Sequence, residues 1–461
     1  MERPIQRTFF SIFLLAQLVA AAPTQATTQA CTDITNALPG KVLSPGLLAL
    51  EYYLEQIPIV NFATRSGGHD PNVGHATVED GILTTMTDMV GLTYDAMKRV
   101  AYVKPGGEWN DVIGDLEPSS VTITGGRLGL VGVGGYLLQG GVSFLTAQEG
   151  LAADNIVGWK TVMANGSIVN LDATTNPYLA QAMRRSGSQF GIVTKYTVRV
   201  HEIGDVWGHF CIYEDSQCDA LYAALHNFVG NGARDPKAAI IFSDLVAVEG
   251  LETRLLYYFY DGPTRPTAGL FADFFNIPGL ICAPKTQKYS ELLKSNGEPA
   301  RFLNSRVSFR MYSEIRTKLA HITAPFLTLL RPTSQFSIDF QPLPSIIGKI
   351  SESKGGNAMG LSSSYPDRIV LEIQGSWALA SDDAVVYSLS KQLTDWLDEQ
   401  VPKRLDEAGM SRDMYLPLFM NDAAGDQPVT KSYKDHEKFK ALQRQVDPDG
   451  LFSTRAGGFK Y

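Results

Sequence analysis

The chain has 461 residues, of which 44% are hydrophobic and 19% are charged. This composition is typical of a globular protein, and the length favours a multi-domain or bilobal enzyme over one small domain. The formal net charge is -8, and the sequence has no dense run of Lys and Arg. We therefore expect neither a nucleic-acid partner nor an anionic membrane surface as a partner.

The first 22 residues have the layout of a secretory signal peptide. Arg3 and Arg7 precede the apolar run Phe9–Ala22, and a polar Thr/Gln stretch follows it. The run is shorter than the roughly 20 apolar residues that a membrane-spanning helix needs, so an anchor is disfavoured. We expect a secreted protein, in which Asn165 of an Asn-Gly-Ser sequence is a possible acceptor for an N-glycan.

The sequence predicts a first α+β unit at residues 40–203. A helical pattern at Leu47–Gln56 and an apolar strand at Ile57–Ala63 come first, and Gly-rich turns then alternate with short β-branched runs. We expect strands at Gly81–Thr85, Val100–Val103, Val121–Thr124, Lys160–Met163, Ser167–Leu171 and Ile192–Val200, and helices at Leu92–Lys98 and Trp109–Leu116. Strands mixed with helical segments in this way indicate an α+β domain.

The sequence predicts a second unit at residues 204–410, an antiparallel sheet with helices on one face. The expected strands are Ala239–Val246, Thr253–Tyr260 and Arg368–Gly375, and the expected helices are Thr267–Asn276 and Asp383–Asp406. The last segment, residues 411–461, predicts a helix at Tyr433–Val446 that ends in the turn sequence Asp447-Pro448-Asp449-Gly450.

The first candidate site is Arg65-Ser66-Gly67-Gly68-His69, directly after an apolar strand. Two glycines let backbone N–H groups approach a ligand closely, and such a turn can form a concave nest for a phosphate. His69 would add a neutral imidazole nitrogen, which can attack an electrophilic carbon of a cofactor. A plain Gly-Gly turn beside a surface histidine is the commoner meaning of such a motif.

The second candidate is the glycine-rich block at residues 124–143, which includes Gly132, Gly134 and Gly135. So many glycines cost folding entropy, so either a ligand ring lying on the backbone or a set of tight turns must account for them. The block is no dinucleotide fingerprint of the G-x-G-x-x-G type, because Leu137 occupies the third glycine position. The seven histidines show no metal-ligand spacing, and no nucleophile elbow is present.

The four cysteines, Cys31, Cys211, Cys218 and Cys282, are too few for a disulfide-dense scaffold. Cys211 and Cys218 could bridge a local loop, and free buried thiols are an equally good alternative.

Five segments, taken in order, resemble the berberine bridge enzyme-like FAD-linked oxidoreductases of the vanillyl-alcohol oxidase superfamily. They are Arg65–His69, Gly125–Gly141, Ala153–Val157, Phe190–Thr194 and Asp447–Phe452 with Gly457-Gly458-Phe459. The resemblance implies a two-lobe α+β fold: an FAD-binding domain of the p-cresol methylhydroxylase type (PCMH-type) at residues 40–203, a substrate domain at 204–410, and a segment at 411–461 that completes the FAD domain.

The same resemblance implies FAD as the cofactor, linked covalently through His69. The further FAD-binding residues that it implies are Arg65, Ser66, Gly67, Gly68, Gly132, Gly134, Gly135, Asn155, Gly191, Ile192, Val193 and Asn421. Some relatives add a second link through a cysteine of the glycine block, but this chain has no cysteine between Cys31 and Cys211. A single covalent bond is therefore expected.

The activity that the resemblance implies is hydride removal from a small alcohol, sugar or secondary metabolite, with O2 as the electron acceptor. The usual tyrosine base is replaced by Phe419, which leaves Asp422 and Glu372 as alternatives, although such carboxylates are more often solvated or salt-bridged than catalytic. Substrate contacts could come from aromatic and basic residues of the second unit, or these residues could fill its core: Tyr257, Tyr258, Tyr260, Arg310, Tyr312 and Trp377.

One departure from the family supports a different hypothesis. The segment between Cys31 and Arg65 is shorter than in relatives, which place a full strand-helix unit there. The alternative to an active oxidase is therefore a flavin-poor or inactive relative that retains the fold.

Overall fold

The computed structural model describes residue 29 and residues 60–247, 252–295, 301–306, 312–328, 334–407, 409 and 415–461. The predicted signal peptide, the helix at Leu47–Gln56, the first residues of the strand at Ile57–Ala63, Cys31 and Arg310 lie outside the described residues.

A five-stranded antiparallel sheet forms the centre of the first lobe. Its strands are β3 (Leu92–Asp95), β4 (Val100–Val103), β6 (Ile156–Val162), β7 (Ile168–Asp172) and β8 (Ile192–Arg199), in the order β3-β4-β8-β6-β7. Two smaller parts flank it: β1 (Asn61–Arg65) pairs in parallel with β2 (Gly81–Thr85), and β5 (Val121–Thr122) pairs with β9 (His201–Glu202). The helices of this lobe are α1 (Trp109–Leu116), α2 (Val133–Gln139), α3 (Thr146–Glu149) and α4 (Pro177–Met183).

One sequence prediction in this lobe is wrong. The segment Leu92–Lys98 was expected to be helical, but Leu92–Asp95 is a strand that pairs antiparallel with Val100–Val103. The residues between them turn back sharply, with Arg99 in the left-handed region at a φ of 52° and the Lys98 amide donating to Asp95. A Leu-Thr-Tyr sequence suits a strand once a partner strand is available, because β propensity depends on cross-strand packing.

The second lobe is an antiparallel sheet covered on one face by helices. Its main strands are β10 (Val206–Tyr213), β11 (Ala238–Val246), β12 (Glu252–Tyr260), β15 (Arg301–Arg306), β16 (Gln335–Leu343) and β17 (Arg368–Ser376), with β13 (Ile281–Cys282) and β14 (Lys285–Gln287) on β10. The helices are α5 (Cys218–Asn231), α6 (Ala272–Phe275), α7 (Tyr289–Ser295), α8 (Tyr312–Thr323), α9 (Ile346–Ser353) and α10 (Asp383–Glu407). The predicted helix at Thr267–Asn276 is reduced to the four residues of α6.

Side-chain alternation divides this sheet into an apolar and a polar face. On β16, Phe336, Ile338 and Phe340 are buried in the core of the lobe together with residues of α5, α8 and α10. The intervening residues, Gln335, Ser337, Asp339 and Gln341, line a cavity on the other face. The sheet therefore turns a row of hydrogen-bonding side chains toward the first lobe.

The last segment returns to the first lobe. Helices α11 (His436–Val446) and α12 (Leu451–Thr454) are joined by the predicted turn, where Asp447 accepts hydrogen bonds from the amides of Leu451 and Phe452. The segment contacts Phe62 of β1. The Phe62 amide donates to the Arg455 carbonyl at 3.0 Å, and the Phe62 ring packs on Phe452. The α+β, two-lobe fold expected from the sequence is confirmed, including the return of this segment.

The disulfide joins Cys211 of β10 to Cys282 of β13, which are cross-strand partners. It is not the local Cys211–Cys218 bridge that the sequence allowed, because Cys218 begins helix α5 and is a buried free thiol.

Candidate active site

A cavity of about 430 Å³ lies between the two lobes and the returning C-terminal segment. The first lobe contributes Ser66–Asp70, the glycine block and Gly191–Val193; the second contributes the polar face of its sheet; the C-terminal segment contributes Phe419–Asp422 and Gly457–Phe459. Its size is within the range of small-molecule and cofactor sites, which favour junctions between domains.

The Ser66–His69 loop and the glycine block touch backbone to backbone. A Cβ added at Gly132 would stand 2.3 Å from the Gly67 nitrogen, and one added at Gly67 would stand 2.7 Å from the Gly132 Cα. Ser66 fixes this contact because its hydroxyl donates to the Pro105 carbonyl at 2.5 Å and accepts from the Gly134 amide at 3.0 Å. Only glycine fits at positions 67 and 132, and the two loops together form one wall of the cavity.

Gly135 has a different environment. A Cβ at Gly135 would meet no protein atom within 4 Å, and the residue lines the cavity. Gly132, Gly134 and Gly135 all line the cavity, and at Gly135 the missing side chain leaves open space in which a flat ring can lie. The residues present thus fit a dinucleotide with a ring system, whose diphosphate the Gly67-Gly68 turn can approach through backbone N–H groups.

His69 lines the cavity beside this turn, and burial lowers the pKa of its imidazole while the neighbouring Asp70 charge acts in the opposite direction. The imidazole is therefore neutral near pH 7. Burial would raise the pKa of Asp70, but a hydrogen bond and the charge of His75 bring it below its usual value. Asp70 binds the His75 Nδ1 at 3.0 Å and accepts from the Gln139 amide at 3.3 Å, so it is an ionised anchor of this corner.

The lining of the cavity also includes three carboxyl groups and one arginine. Glu372 and Asp339 are cross-strand partners on β17 and β16, and both are buried. Asp422 comes from the C-terminal segment, and Arg127 comes from the glycine block. Gln341 lies among them: its amide nitrogen donates to Glu372 at 2.7 Å and to Asp422 at 3.2 Å, and its carbonyl accepts from Arg127.

Burial raises the pKa of all three carboxyl groups. The pKa of Asp422 rises to about 6 even though the charge of Arg127 and the Gln341 hydrogen bond act against the rise. The pKa of Asp339 rises to about 7, moderated by hydrogen bonds from Ser243 and Ser337. The pKa of Glu372 is raised well above its ordinary value, because the charges of Asp422 and Asp339 add to the effect of burial. With pKa values of about 6 and about 7 for Asp422 and Asp339, the cavity holds both protonated and ionised carboxyl groups near neutral pH.

Most of the predicted site residues lie together at this cavity. They are Ser66, Gly67, Gly68, His69, Gly132, Gly134, Gly135, Gly191, Ile192, Val193, Glu372, Asn421 and Asp422. Asn421 also fixes the C-terminal segment, because its side chain accepts from the Gly141 amide at 2.9 Å and donates to the Tyr136 carbonyl at 3.3 Å. Phe419, at the position of the usual tyrosine, packs under the guanidinium of Arg185 at 4.1 Å.

Two predicted FAD-binding residues do not line the cavity. The Arg65 guanidinium donates to the Ala76 carbonyl at 2.9 Å and so supports the Ser66–His69 loop without lining the cavity. The Asn155 amide donates to the carbonyls of Glu149 and Leu151, both at 3.0 Å, and its oxygen accepts from Lys354. Of the six proposed substrate contacts, Tyr257 lines the cavity, whereas Tyr258 is buried against Tyr213 and Trp377 donates to Asp383.

Sequence reasoning missed Asp339 and Gln341 and gave Arg127 no role at the site. The missing signal was the alternation along Gln335–Gln341, in which every second residue is polar and the others are apolar. That pattern predicts a strand with a polar ligand-facing side.

No group of three or more metal-binding side chains occurs in the described ranges. None of the helices described there combines the length and apolar composition that a membrane span requires.

Comparison with known proteins identifies this chain as an FAD-binding protein. A family model described as an FAD binding domain matches residues 58–172. The chain is 31% identical over 425 residues to an uncharacterised FAD-linked oxidoreductase of Arthroderma benhamiae, covering 88% of this chain and 83% of that protein. It is also 31% identical over 419 residues to an FAD-dependent monooxygenase of Fusarium proliferatum, covering 86% and 79%.

Solved structures agree in fold. A chitooligosaccharide oxidase superposes with a TM-score of 0.70 at 14% identity, over 95% of this chain and 100% of that chain. A xylooligosaccharide oxidase of Myceliophthora thermophila gives a TM-score of 0.68 at 18% identity, over 90% of each chain. The protein is thus an FAD-dependent oxidoreductase with a PCMH-type fold. It belongs to the FAD-linked oxidoreductases, and its fold is similar to that of berberine bridge enzyme, with a TM-score of 0.65 at 15% identity over 90% of this chain and 89% of that chain.

Proposed function

We propose that this chain is an oxidase that removes a hydride from a C–H bond of a small alcohol, sugar or secondary metabolite and uses O2 as the electron acceptor. The proposal rests mainly on the cavity itself, which is lined both by glycine backbone and by titratable carboxyl groups. FAD, when bound along the glycine wall, supplies hydride acceptance and electron transfer to O2. A substrate bound in the same cavity would then have both the cofactor and the carboxyl groups within the site.

The two candidate bases have different roles in this proposal. Asp422, with a pKa of about 6, is largely ionised at pH 7 and accepts the proton that leaves the substrate's hydroxyl or amine. Glu372, whose pKa is raised well above its ordinary value by burial and by the charges of Asp422 and Asp339, is assigned the protonated role and donates a hydrogen bond that orients the substrate. One ionised and one protonated carboxyl group provide a base and a hydrogen-bond donor at one pH.

His69 is proposed to hold FAD through a single covalent bond to the 8α carbon. Its neutral imidazole lines the cavity next to the Gly67-Gly68 turn, which suits it as a nucleophile. The alternative function, a flavin-poor relative with the same fold, makes the opposite prediction about colour and tethered flavin.

The test is made on the purified protein before any substrate is known. The wild type should be yellow, should keep its flavin after acid precipitation, and should give a fluorescent band on a denaturing gel. His69→Ala should lose the fluorescent band, whereas His226→Ala, an exposed histidine of α5, should keep it. Wild-type protein that takes up no FAD after refolding with it would support the flavin-poor alternative and contradict the oxidase.

The substrate and the acceptor need a second measurement on the yellow protein. Alcohols, sugars and aromatic metabolites are screened for substrate-dependent hydrogen peroxide, with oxygen consumption measured in parallel. Peroxide formed in step with oxygen consumption supports an oxidase, whereas flavin reduction that stays stable in air would show a dehydrogenase.

We also propose that the protein is secreted and glycosylated at Asn165. Asn165 and Ser167 are exposed in the turn between β6 and β7, where Ser167 donates to the Asn165 side chain. Protein recovered from the culture medium of a eukaryotic host should lose mass on treatment with an N-glycosidase. Ser167→Ala should remove that mass loss.

A further inference from the structure

Gln341 is the shared contact of three separate parts of the molecule. It lies on β16 of the second lobe, accepts from Arg127 of the first lobe, and donates to Asp422 of the C-terminal segment. It also donates to Glu372 on the neighbouring strand at 2.7 Å. The two groups assigned above as base and hydrogen-bond donor are thus held by one amide.

The orientation of this amide is fixed by its neighbours. An amide has one accepting and one donating end, and Arg127 can only donate. The Gln341 oxygen must therefore face the guanidinium, which directs both N–H groups to the carboxyl groups. Rotating the amide by half a turn would place its N–H groups against the Arg127 cation and its oxygen against the ionised Asp422.

We infer that Gln341, held in one orientation by Arg127, is a positioning residue that holds Glu372 and Asp422 in place as one hydrogen-bonded unit. The inference rests on the oxidase function proposed above for its catalytic consequence. The effect of Gln341 on the pH dependence of stability is independent of flavin and substrate.

The charged and titratable groups around the unit set how it responds to pH. They are Arg127 and Tyr136 from the glycine block, Arg185 after helix α4, Asp422 from the C-terminal segment, and Asp339 on the strand that carries Gln341. Arg127 lowers the pKa of Asp339, Glu372 and Asp422, and the Gln341 hydrogen bond lowers that of Asp422. Removing the amide withdraws donors from ionised carboxyl groups, so the cost of ionising them inside the protein increases.

The sign of the pH effect follows from the raised pKa values. An acid whose pKa is higher in the folded state stabilises the fold at low pH, and this stabilisation is lost as the pH rises through the folded-state pKa. For Asp422 and Asp339 this stabilisation is lost as the pH rises from the ordinary carboxyl pKa, near 4, to the raised pKa values of about 6 and about 7. Without Gln341 the loss should be deeper and should extend to higher pH.

The experiment measures melting temperature from pH 4 to pH 8 for wild type, Gln341→Leu, Glu372→Gln and the double variant. Gln341→Leu should match the wild type most closely at pH 4 and fall below it by an additional ~2–4 °C by pH 8. Glu372→Gln removes one of the acids, so the added effect of Gln341→Leu should be smaller in the double variant. The control is Gln287→Leu, a buried amide that donates to the Gly208 carbonyl, whose effect should be the same at every pH.

The catalytic consequence is measured once a substrate is known. Gln341→Leu should lower kcat about 10- to 100-fold with little change in KM, because the base is displaced while the cavity keeps its volume. Equal pH dependence of melting in Gln341→Leu and wild type would overturn the inference. A protein without flavin would instead contradict the proposed function and leave the melting result intact.

Discussion

At the scale of single residues, the paired glycines of the two loops determine whether the cofactor can bind. Gly132→Ala places a Cβ at 2.3 Å from the Gly67 nitrogen, which forces the loops apart. We expect a loss of about 1–3 kcal/mol in the free energy of unfolding, as for other overpacked sites, together with loss of bound flavin. Urea unfolding and the absorbance of released flavin measure the two effects.

Two further glycine variants separate loop distortion from cavity filling. Gly135→Ala should leave the stability of the flavin-free protein unchanged or slightly improved but should reduce flavin content, because its Cβ enters open space at the cavity. Gly204→Ala, which also meets no atom within 4 Å, should change neither property. Normal flavin content in both Gly132→Ala and Gly135→Ala would show that this wall does not contact FAD.

The carboxyl groups make a prediction about the pH dependence of turnover. The rate should rise with pH as Asp422 ionises, with an apparent pKa of about 6, and should fall again when Glu372 loses its proton at higher pH. Asp422→Asn should abolish turnover. Glu372→Gln should retain part of it and should lose the high-pH decline, because an amide donates as the protonated acid does.

This assignment would be reversed by the opposite pair of phenotypes. If Glu372→Gln were inactive and Asp422→Asn retained turnover, Glu372 would be the base. Flavin content measured alongside each rate separates loss of chemistry from loss of cofactor.

Sequence motifs located the parts of the cavity that are built from adjacent residues. The Ser66–His69 loop and the glycine block, both proposed from sequence as binding elements, lie together at the cavity. The carboxyl cluster could not be assembled in the same way, since Arg127, Asp339, Glu372 and Asp422 come from four distant segments. Only strand register places Asp339 opposite Glu372, and register is not visible in a single sequence without the neighbouring strands.

At the scale of elements, long segments and several short ones were predicted almost to the residue, and the errors fall on short segments. Helix α10 was expected at Asp383–Asp406 and is found at Asp383–Glu407, and the strand at Thr253–Tyr260 begins one residue earlier. The segment Leu92–Asp95 was given the wrong type because four residues carry too little periodicity to distinguish a strand from a helix. Asn155 resembled an FAD-binding residue by motif, but its amide is used to hold helix α3 and its following turn.

The disulfide should stabilise one edge of the large sheet. Cys211 and Cys282 are 71 residues apart and attach the short strand β13 to β10 at an edge of the large sheet. By the loop-entropy account the bond should contribute roughly 2–4 kcal/mol to stability. Cys211→Ser with Cys282→Ser should therefore melt several degrees below the wild type.

A reducing agent provides the control for this disulfide. It should lower the melting temperature of the wild type and of Cys218→Ala, in which the buried free thiol is removed. It should have no further effect on the double serine variant. A strong effect of reductant on that variant would locate the redox-sensitive bond elsewhere in the chain.

At the scale of the whole molecule, the cavity exists only while the two lobes stay together, and a buried polar cluster helps to hold them. Asp154 of the first lobe accepts from Asn357 at 2.7 Å and from Ser351 at 3.1 Å, both in the second lobe. Beside it, Lys354 donates to Asn155 at 2.7 Å, and Arg184 donates to the Lys354 carbonyl at 2.7 Å. These groups lie behind the cavity, on residues that do not line it.

Asp154→Ala should therefore destabilise the lobe contact without touching the site. The change leaves Asn357 and Ser351 with unpaired buried donors, each worth about 1–3 kcal/mol when unsatisfied. Burial raises the pKa of Asp154 against the opposing effect of the Asn357 hydrogen bond, so the wild-type contact should weaken as the pH rises and the carboxyl group ionises. Asp154→Asn should remove that part of the pH dependence.

Hydrogen exchange and flavin content together locate the effect. Asp154→Ala should exchange faster at Ile346–Ser353 and at Ala152–Asn155, which face each other across the contact, and not at the β1–β2 pair. Flavin content at low temperature should equal that of the wild type, because the glycine wall and His69 are unchanged. Loss of flavin from a variant with unchanged exchange would mean that the motif containing Asp154 and Asn155 binds the cofactor directly. The lobe contact would then have to depend on apolar packing alone.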